Sequence, residues 1–381
     1  MSGWNVIKLN NSIYLVKKSL FLVCWLLALA LPVSVWAQFD YTINNGAATI
    51  TGYTGSGGAV TIPSSINGYP VTSVGDMAFF KSTNLTSVTV PNSATSIGGY
   101  AFFLCTSLAN VTIPNGVTTI GTYAFWRCDS LPSVTIPKSV TTIGDRAFTE
   151  CTNLTEIMVA AQNPAYSSVG GVLYDKSQAT LIVCPAGIVG THTIPNSVTS
   201  IKDYSFYHCD SLTNVTIGNS VTSIGEGAFW VCTSLTNVTL PNSVTRIGYG
   251  AFYACTKLRN LLFQGNAPSL GDDVFIGVNP AAVVHYYVGT TGWGATYGGL
   301  PTMMLNLPLV FVTTNGGFGF TNRQFVLTLT GPTGSNVVIS ASTNLQSWVP
   351  LLTNQLSGGT LRFTDAFATN YLRRFYRAKV Q

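Results

Sequence analysis

A 23-residue repeat in the middle of the chain restricts its fold more than any other feature. One phenylalanine per repeat, usually preceded by alanine, keeps this spacing in two runs. The phenylalanines are Phe79, Phe102, Phe125 and Phe148, followed by Phe206, Phe229, Phe252 and Phe275. The step from Phe148 to Phe206 is 58 residues, which is one repeat plus 35 further residues. A fixed period of this length is typical of stacked structural repeats.

Other residue types keep the same phase in most repeats. Isoleucine lies five residues before the phenylalanine, cysteine three residues after it and leucine six residues after it. Stretches such as Val-Thr-Ile-Pro at 111–114 alternate apolar and polar residues, which predicts a half-buried strand ended by proline. One repeat cannot bury its apolar side chains alone, whereas stacked repeats can. The sequence therefore predicts a mainly β solenoid of 23-residue coils, covering residues 60–282.

The repeat unit L-x-x-V-x-I-P-x-S-V-x-x-I-G-x-x-A-F-x-x-C-x-S resembles the BspA-type, or Treponema-type, bacterial leucine-rich repeat over roughly residues 60–280. The resemblance implies a curved, right-handed solenoid with the V-x-I strands on its concave face. It also implies a secreted or surface-attached protein that binds a partner and does not catalyse a reaction.

The segments beside the repeats have patterns of their own. The insertion near residues 160–190 contains Gly171-Val172-Leu173-Tyr174 and Ala179-Thr180-Leu181-Ile182-Val183, which predict a β-hairpin. It resembles an insertion of the same repeat family, which usually has Asp-Gly where this chain has Gly170-Gly171. Residues 38–59 and 283–305 break the repeat register. We expect them to cap the two ends of the solenoid, where core residues would otherwise be exposed.

Residues 1–37 are predicted to be a secretory signal peptide. Three lysines precede an almost entirely apolar run from Ser19 to Val35, and small residues before Gln38 favour cleavage after Ala37. The alternative is a retained membrane anchor, although the run of about 17 residues is at the short limit for a membrane span.

Residues 306–381 lose the repeat and are predicted to form a small β-sandwich with Trp348 in its core. The segments S-T-N-L-x-x-W (342–348), T-D-A (364–366) and R-R-F-Y-R-A (373–378) resemble a C-terminal domain on exported proteins of Verrucomicrobia-like bacteria. A role in attachment or sorting follows from that resemblance. This region has six basic residues and one acid, net +5, whereas residues 38–305 have nine basic and twelve acidic residues, net −3.

The composition leaves little material for catalysis. Only 8% of the residues are charged, there are three histidines, and the usual hydrolase, metalloprotease and nucleotide-binding motifs are absent. The sequence therefore predicts no catalytic residues, no cofactor and no metal site. The repeated cysteines are expected to be free, buried thiols, because side chains on stacked coils point the same way and suit a disulfide poorly. His192 occupies an inward position of the repeat and is expected to be a core substitution.

Two surfaces are candidate binding sites. The first, here called the Thr/Asn face, consists of outward residues of the predicted strands, which could equally be there for β propensity and cross-strand pairing. Its residues are Thr89, Thr112, Thr135, Thr216, Thr239, Asn110, Asn214 and Asn237. The second, here called the aromatic strip, follows the repeated phenylalanines, where lateral packing between coils is the alternative explanation. Its residues are Phe80, Phe103, Trp126, Tyr207, Trp230 and Tyr253.

These features together predict a non-catalytic, secreted or cell-surface binding protein that acts by protein–protein adhesion. The alternatives are a glycan-binding surface module and a structural exported scaffold without a defined ligand. The expected partner is an extracellular protein, of a host or a matrix, or a surface polysaccharide. No nucleic acid is expected, since no strong basic field covers the whole chain, and no membrane span after signal cleavage.

Overall fold

The computed structural model describes residues 4–9, 12–17, 38–305, 310–312, 318–321, 324–331, 336–356 and 359–380. The apolar run and cleavage site of the predicted signal peptide, from Ser19 to Ala37, lie outside the described residues. Ahead of them, strands β1 (Trp4–Leu9) and β2 (Ser12–Lys17) pair antiparallel. Within the described part of the chain, no helix is long and apolar enough to cross a membrane.

The described repeats form a β solenoid, which confirms the predicted fold class. Each coil contributes one strand to a first wall of long strands, which pair in parallel with the equivalent residues of the next coil 23 positions on. The long strands before the insertion are β5 (Gly58–Thr61), β8 (Leu85–Thr89), β10 (Asn110–Thr112), β12 (Ser133–Ile136) and β14 (Glu156–Val159). Those after it are β18 (Gly190–Thr193), β20 (Leu212–Thr216), β22 (Asn237–Leu240) and β24 (Asn260–Phe263).

A second wall consists of short strands, one per coil, also paired in parallel. Before the insertion these are β7 (Tyr69–Val74), β9 (Ser96–Ile97), β11 (Thr119–Ile120) and β13 (Thr142–Ile143), with β6 (Ser65–Ile66) antiparallel to β7. After it they are β19 (Ser200–Ile201), β21 (Ser223–Ile224), β23 (Arg246–Ile247) and β25 (Ser269–Leu270). The alternation of the sequence explains both walls, because Val134 and Ile143 point inward and are buried while Thr135 points outward.

A third row of hydrogen bonds joins the coils through the turn that carries the phenylalanine. The amides of Tyr100, Phe102 and Leu104 donate to carbonyls of the next coil at 2.7–2.9 Å. Tyr100 and Leu104 have positive φ angles of 56° and 59°. Because every second amide of this segment donates to the next coil, the segment forms an intercoil ladder, which the sequence did not predict.

The core between these walls is a stack of equivalent side chains. The repeated phenylalanine rings lie face to face, with centroids 4.6–5.8 Å apart within each run. All seven described cysteines are free and buried, and thiols such as Cys105 donate to the carbonyl of Phe79 in the preceding coil, at 3.1 Å. The cysteines therefore pack as small apolar side chains whose S–H groups donate hydrogen bonds to nearby carbonyls.

The insertion divides the stack into two cores. Strands β15 (Tyr166–Val169) and β16 (Val172–Asp175) form an antiparallel hairpin, and β17 (Thr180–Val183) then pairs antiparallel with β16 and parallel with β19. Gly170 and Gly171 supply the positive φ angles of the tight turn, 57° and 80°. In β16, Leu173 belongs to the first core and Val172 and Tyr174 belong to the second.

Different elements cover the two ends. At the N-terminal end, β3 (Phe39–Asn44) and β4 (Ala47–Tyr53) form a hairpin on the second wall, and Tyr53 stacks on Phe79 at 4.9 Å. At the C-terminal end, β26 (Val283–Tyr287), β27 (Thr296–Tyr297) and β28 (Leu300–Leu305) extend the first wall. Trp293 packs there against Phe263 and Tyr286, with centroids 5.1 and 5.0 Å away.

The C-terminal residues form two antiparallel sheets around a core of their own. One sheet contains β29 (Val310–Phe311), β30 (Phe318–Thr321), β31 (Gln324–Thr330) and β34 (Thr360–Asp365). The other contains β32 (Asn336–Ser342), β33 (Val349–Gln355) and β35 (Phe375–Val380), and a 3₁₀ turn (Ala368–Asn370) precedes β35. Leu327, Leu329 and Ile339 are fully buried between the sheets.

The prediction that Trp348 lies in this core is wrong. Its ring is only half-buried, its Nε1 donates to Leu345 O at 3.2 Å, and the guanidinium of Arg377 lies 4.4 Å from the ring centroid. The position ahead of β33 places the indole at the edge of the sheet. Its N–H finds a local backbone acceptor there, and a cation covers the ring.

Candidate functional site: the solenoid surfaces

The Thr/Asn face lies on the first wall, where the parallel register puts equivalent residues side by side. Asn110 and Thr112 of β10 pair with Ser87 and Thr89 of β8. After the insertion, β20, β22 and β24 repeat the arrangement. Most of the threonines are exposed, namely Thr89, Thr112, Thr135 and Thr216, while Thr239 is half-buried. The face is therefore an open surface of β-branched side chains at the spacing of neighbouring strands, about 4.8 Å.

The asparagines of this face bond to one another after the insertion. Asn237 Nδ2 donates to Asn214 Oδ1 at 2.6 Å, and Asn260 Nδ2 donates to Asn237 Oδ1 at 2.7 Å. Asn214 and Asn237 also donate to the hydroxyls of Thr213 and Thr236. Much of the amide hydrogen-bonding capacity is thus used within the stack. The sequence left both ligand binding and cross-strand pairing open for these residues, and the structure shows the pairing for Asn214 and Asn237.

The outward threonine column ends in larger side chains that were not predicted. Thr239 pairs with Leu262, Leu262 pairs with His285, and His285 pairs with Met303 on successive strands. A cavity of about 400 Å³ lies here, lined by residues of β22, β24, β26 and β28. The signal was present in the sequence, because Leu-Leu-Phe at 261–263 replaces the Val-Thr-Leu of the preceding coil.

Five of the six rings of the aromatic strip stack on another ring of the strip, whereas Tyr207 makes edge contacts with Tyr204 and His208. Phe103 lies between Phe80 and Trp126, with centroids 5.1 and 4.5 Å away, and Trp230 stacks on Tyr253 at 4.3 Å. Five of the six rings, including Tyr207, are only half-buried, and Phe80 is 38% exposed. The stacked rings present their edges to solvent, while their faces contact neighbouring rings. Lateral packing and exposure therefore occur together, and the strip offers few open ring faces.

The strip is interrupted at the coil that precedes the insertion. Thr149 occupies the aromatic position there and is buried. A polar cluster spans the gap: the Arg146 guanidinium lies 3.4 Å from the ring centroid of Tyr204 and also donates to the hydroxyl of Tyr123. Lys202 pairs with Asp145 at 2.8 Å across the same junction. These contacts join the two halves of the solenoid at the surface.

Charged and titratable groups beside the strip are perturbed by burial. Glu150 pairs with Arg127, with 3.6 Å between Oε2 and Nε. Desolvation raises the pKa of the Glu150 carboxyl, which the nearby His208 and Arg127 oppose. Burial also lowers the pKa of His192, whose ring lies 6.0 Å from that of Phe206. His192 is in register with the buried Val215, as expected of a core substitution.

The described residues contain no group of three or more His, Cys, Asp or Glu side chains that could hold a metal ion. Desolvation raises the pKa of the Cys105 thiol to about 12 and also raises the pKa values of Cys128 and Cys232. A buried thiol that stays protonated is neither a good nucleophile nor a metal ligand. The cysteine column therefore has a packing role.

These observations define a repeat solenoid with two extended, largely uncharged surfaces. The chain matches the family model described as BspA type leucine-rich repeat region, in six copies, over residues 61–179 and 189–284. It therefore belongs to the BspA-type leucine-rich repeat family, which confirms the resemblance found in the sequence. Its architecture is that of a repeat-based protein-interaction module, and the match indicates no enzyme family.

Solved structures of bacterial leucine-rich repeat proteins share the fold. The pneumococcal vaccine antigen PcpA is 22% identical to this chain, with a TM-score of 0.52, and the match covers 71% of this chain and 87% of PcpA. A leucine-rich repeat protein from Eubacterium ventriosum is 25% identical, with a TM-score of 0.51 and coverage of 71% and 84%. A search of curated proteins finds no match.

Proposed function

We propose that this chain is a secreted or cell-surface adhesion protein that binds an extracellular protein partner through the Thr/Asn face. The observation that carries the proposal is the in-register column of exposed threonines on the first wall. Glu156 is the one charged residue among the equivalent outward positions of β8 to β24. A broad surface with almost no charged groups to desolvate suits protein contact spread over a large area.

The stacking in the aromatic strip favours a protein over a polysaccharide. Sugar rings bind to aromatic side chains through the open ring face, whereas both faces of Phe103 and one face of Trp230 contact neighbouring rings. A protein can instead use the exposed ring edges together with the adjacent surface. Export is supported by the sequence of residues 1–37, in which basic residues precede an apolar run and a small-residue cleavage site.

The test is a binding screen of the chain from Gln38 onward against extracellular matrix proteins and a glycan panel. A variant carrying Thr112→Arg and Thr216→Arg puts two charges on the Thr/Asn face. We expect it to bind a protein hit at least about tenfold more weakly, because each arginine would have to be desolvated at the interface. The matched control, Asn115→Arg with Asn242→Arg, changes exposed turn residues outside the face and should bind as the unmodified chain does. Equal binding by both variants would exclude the Thr/Asn face as the binding site. Binding to glycans and to no protein would identify a polysaccharide as the partner.

A further inference from the structure

The surface charge of the C-terminal domain is almost entirely positive. Residues 306–381 contain one acid, Asp365, which is 5% exposed. Its Oδ2 lies 2.7 Å from Arg374 Nε and accepts a hydrogen bond from the Tyr376 hydroxyl at 2.9 Å. That buried pair is neutral overall, so no aspartate or glutamate is left to balance the other cations. The exposed cations of the described part of this domain are Arg362, Arg373, Arg377 and Lys379.

Large apolar side chains protrude from the same domain. Leu372, in the loop before β35, is 106% exposed, and Phe367, just ahead of the 3₁₀ turn, is 68% exposed. Tyr371 and Phe320 are 45% and 65% exposed, and with Leu372 they line a cavity of about 590 Å³. An extended loop that holds leucine and two aromatic rings in water is unfavourable unless another surface covers them.

The loop is held in place by the ion pair beneath it. The guanidinium of Arg374 lies 4.1 Å from the ring centroid of Tyr371 while its Nε faces Asp365. Tyr371 and Arg374 also line a second cavity, of about 310 Å³, beside β32 and β33. The segment Tyr371–Arg374 therefore forms a ridge between two cavities, with Leu372 at its most exposed point and Arg373 next to it.

We propose that this ridge docks the C-terminal domain onto the surface of a lipid bilayer that contains anionic lipids. Leu372 enters the interface between headgroups and acyl chains, and Arg373 contacts lipid phosphates. Protruding apolar side chains beside uncompensated cations are the combination that binds such a surface. A nucleic acid or an anionic polysaccharide would use the cations but would leave Leu372 exposed to water. This inference does not depend on the Thr/Asn face.

The experiment measures co-sedimentation of the chain from Gln38 onward with vesicles. This chain contains all three described cores, which are built from residues Phe39 to Ala378, and it lacks the apolar run Ser19 to Val35. We expect binding to vesicles of phosphatidylethanolamine with phosphatidylglycerol, and much weaker binding to phosphatidylcholine vesicles. Each cation near the surface strengthens such binding about fivefold, so high salt should weaken it strongly.

Two variants and one control separate the apolar and ionic contributions. Leu372→Ser should weaken vesicle binding about tenfold, because the leucine side chain would no longer leave water. Arg373→Gln should weaken it about fivefold and reduce its dependence on salt. The control Val189→Ser changes a residue of the solenoid that is 70% exposed and should bind like the unmodified chain. Circular dichroism should be the same for all four proteins.

Several outcomes would overturn the proposal. Absence of binding to the anionic vesicles would do so, as would equal binding to neutral vesicles. If Leu372→Ser bound the vesicles as well as the unmodified chain does, only charge would attract the domain to them. If the unmodified chain were also retained on heparin or DNA, the cations would be assigned to binding a polyanion instead of a bilayer. Failure of the Thr/Asn face to bind a protein would leave the vesicle result unaffected.

Discussion

At the scale of single residues, the glycine of the repeated Ile-Gly pair is required because neighbouring coils approach one another closely. A Cβ atom on Gly121 would lie 2.5 Å from the Gly98 carbonyl carbon and against the Gly99 amide nitrogen. Gly98, Gly144 and Gly248 are equally close to the backbone of the preceding coil. These glycines have ordinary negative φ angles, so the residue type is required by space between coils and not by backbone conformation.

We therefore expect Gly121→Ala to lower the free energy of unfolding by about 3 kcal/mol, since two backbone segments must separate to admit the methyl group. Gly99→Ala is the matched control. Its nearest neighbour would be Thr122 O at 3.4 Å, so we expect a change below about 0.5 kcal/mol. Urea denaturation followed by circular dichroism measures both values. Similar losses for the two variants would contradict the role of close coil packing.

The residue pattern predicted the two strand walls well and the sites less well. Period-two alternation places Val134 inward and Thr135 outward without knowledge of the rest of the chain. The stacking of Phe103 on Trp126 and the bond from Asn237 to Asn214 depend on side-chain conformations across coils, which the period does not specify. For the same reason, the half-buried indole of Trp348 was wrongly assigned to a core.

At the scale of elements, the main feature beyond the sequence pattern is the third intercoil ladder. Each coil has positive φ at two positions of this turn, and most of these residues are not glycine, for example Tyr123 and Arg127. A left-handed backbone conformation costs a non-glycine residue about 1–2 kcal/mol. Residue propensities therefore argue against this turn when the sequence is considered alone. The ladder amides, such as Phe125 N donating to Ala147 O at 2.8 Å, offset that cost.

Val231 is the most strained of these positions, because it is a β-branched residue with a φ of 59°. We expect Val231→Gly to raise the free energy of unfolding by about 1 kcal/mol, since relief of the left-handed conformation exceeds the entropy cost of glycine. The control is Val189→Gly, at a residue whose φ is not positive. We expect its free energy of unfolding to fall by about 0.5–1 kcal/mol. Thermal unfolding of both variants provides the comparison, and a loss in Val231→Gly would mean that side-chain packing outweighs backbone strain.

The insertion shows why some element-level detail is not readable from a repeat period. Asn163 is fully buried, and its Nδ2 donates to Pro137 O and Val140 O at 2.8 and 2.9 Å. Its Oδ1 accepts bonds from the amides of Ala165 and Tyr166. One side chain thus closes the end of a coil and directs the chain into β15. The hairpin itself follows from strand and glycine patterns, whereas this connection occurs once and has no period.

At the scale of the whole molecule, both halves of the solenoid contain a column of neutral, buried groups. Seven thiols stack along it, and Tyr174, whose pKa burial raises to about 12, lies where the insertion joins the second core. The acids and bases of residues 38–305 are few and lie mainly at the surface. Charge repulsion at neutral pH therefore has little effect on the fold, whereas ionisation of the column has a large one.

We expect the solenoid to lose stability steeply in alkaline solution. A thiol with the ordinary pKa of 9.0 ionises in the unfolded chain, while Cys105 stays protonated in the folded chain until about pH 12. Between these values the unfolded state binds fewer protons than the folded state, so stability falls by up to about 1.4 kcal/mol per pH unit for each such thiol. Below the lower value both states are protonated and this contribution is constant. Urea denaturation across that pH range should show the loss, and Cys105→Ala should reduce the slope by one thiol's contribution. An unchanged slope in that variant would show that Cys105 is not buried in its protonated form.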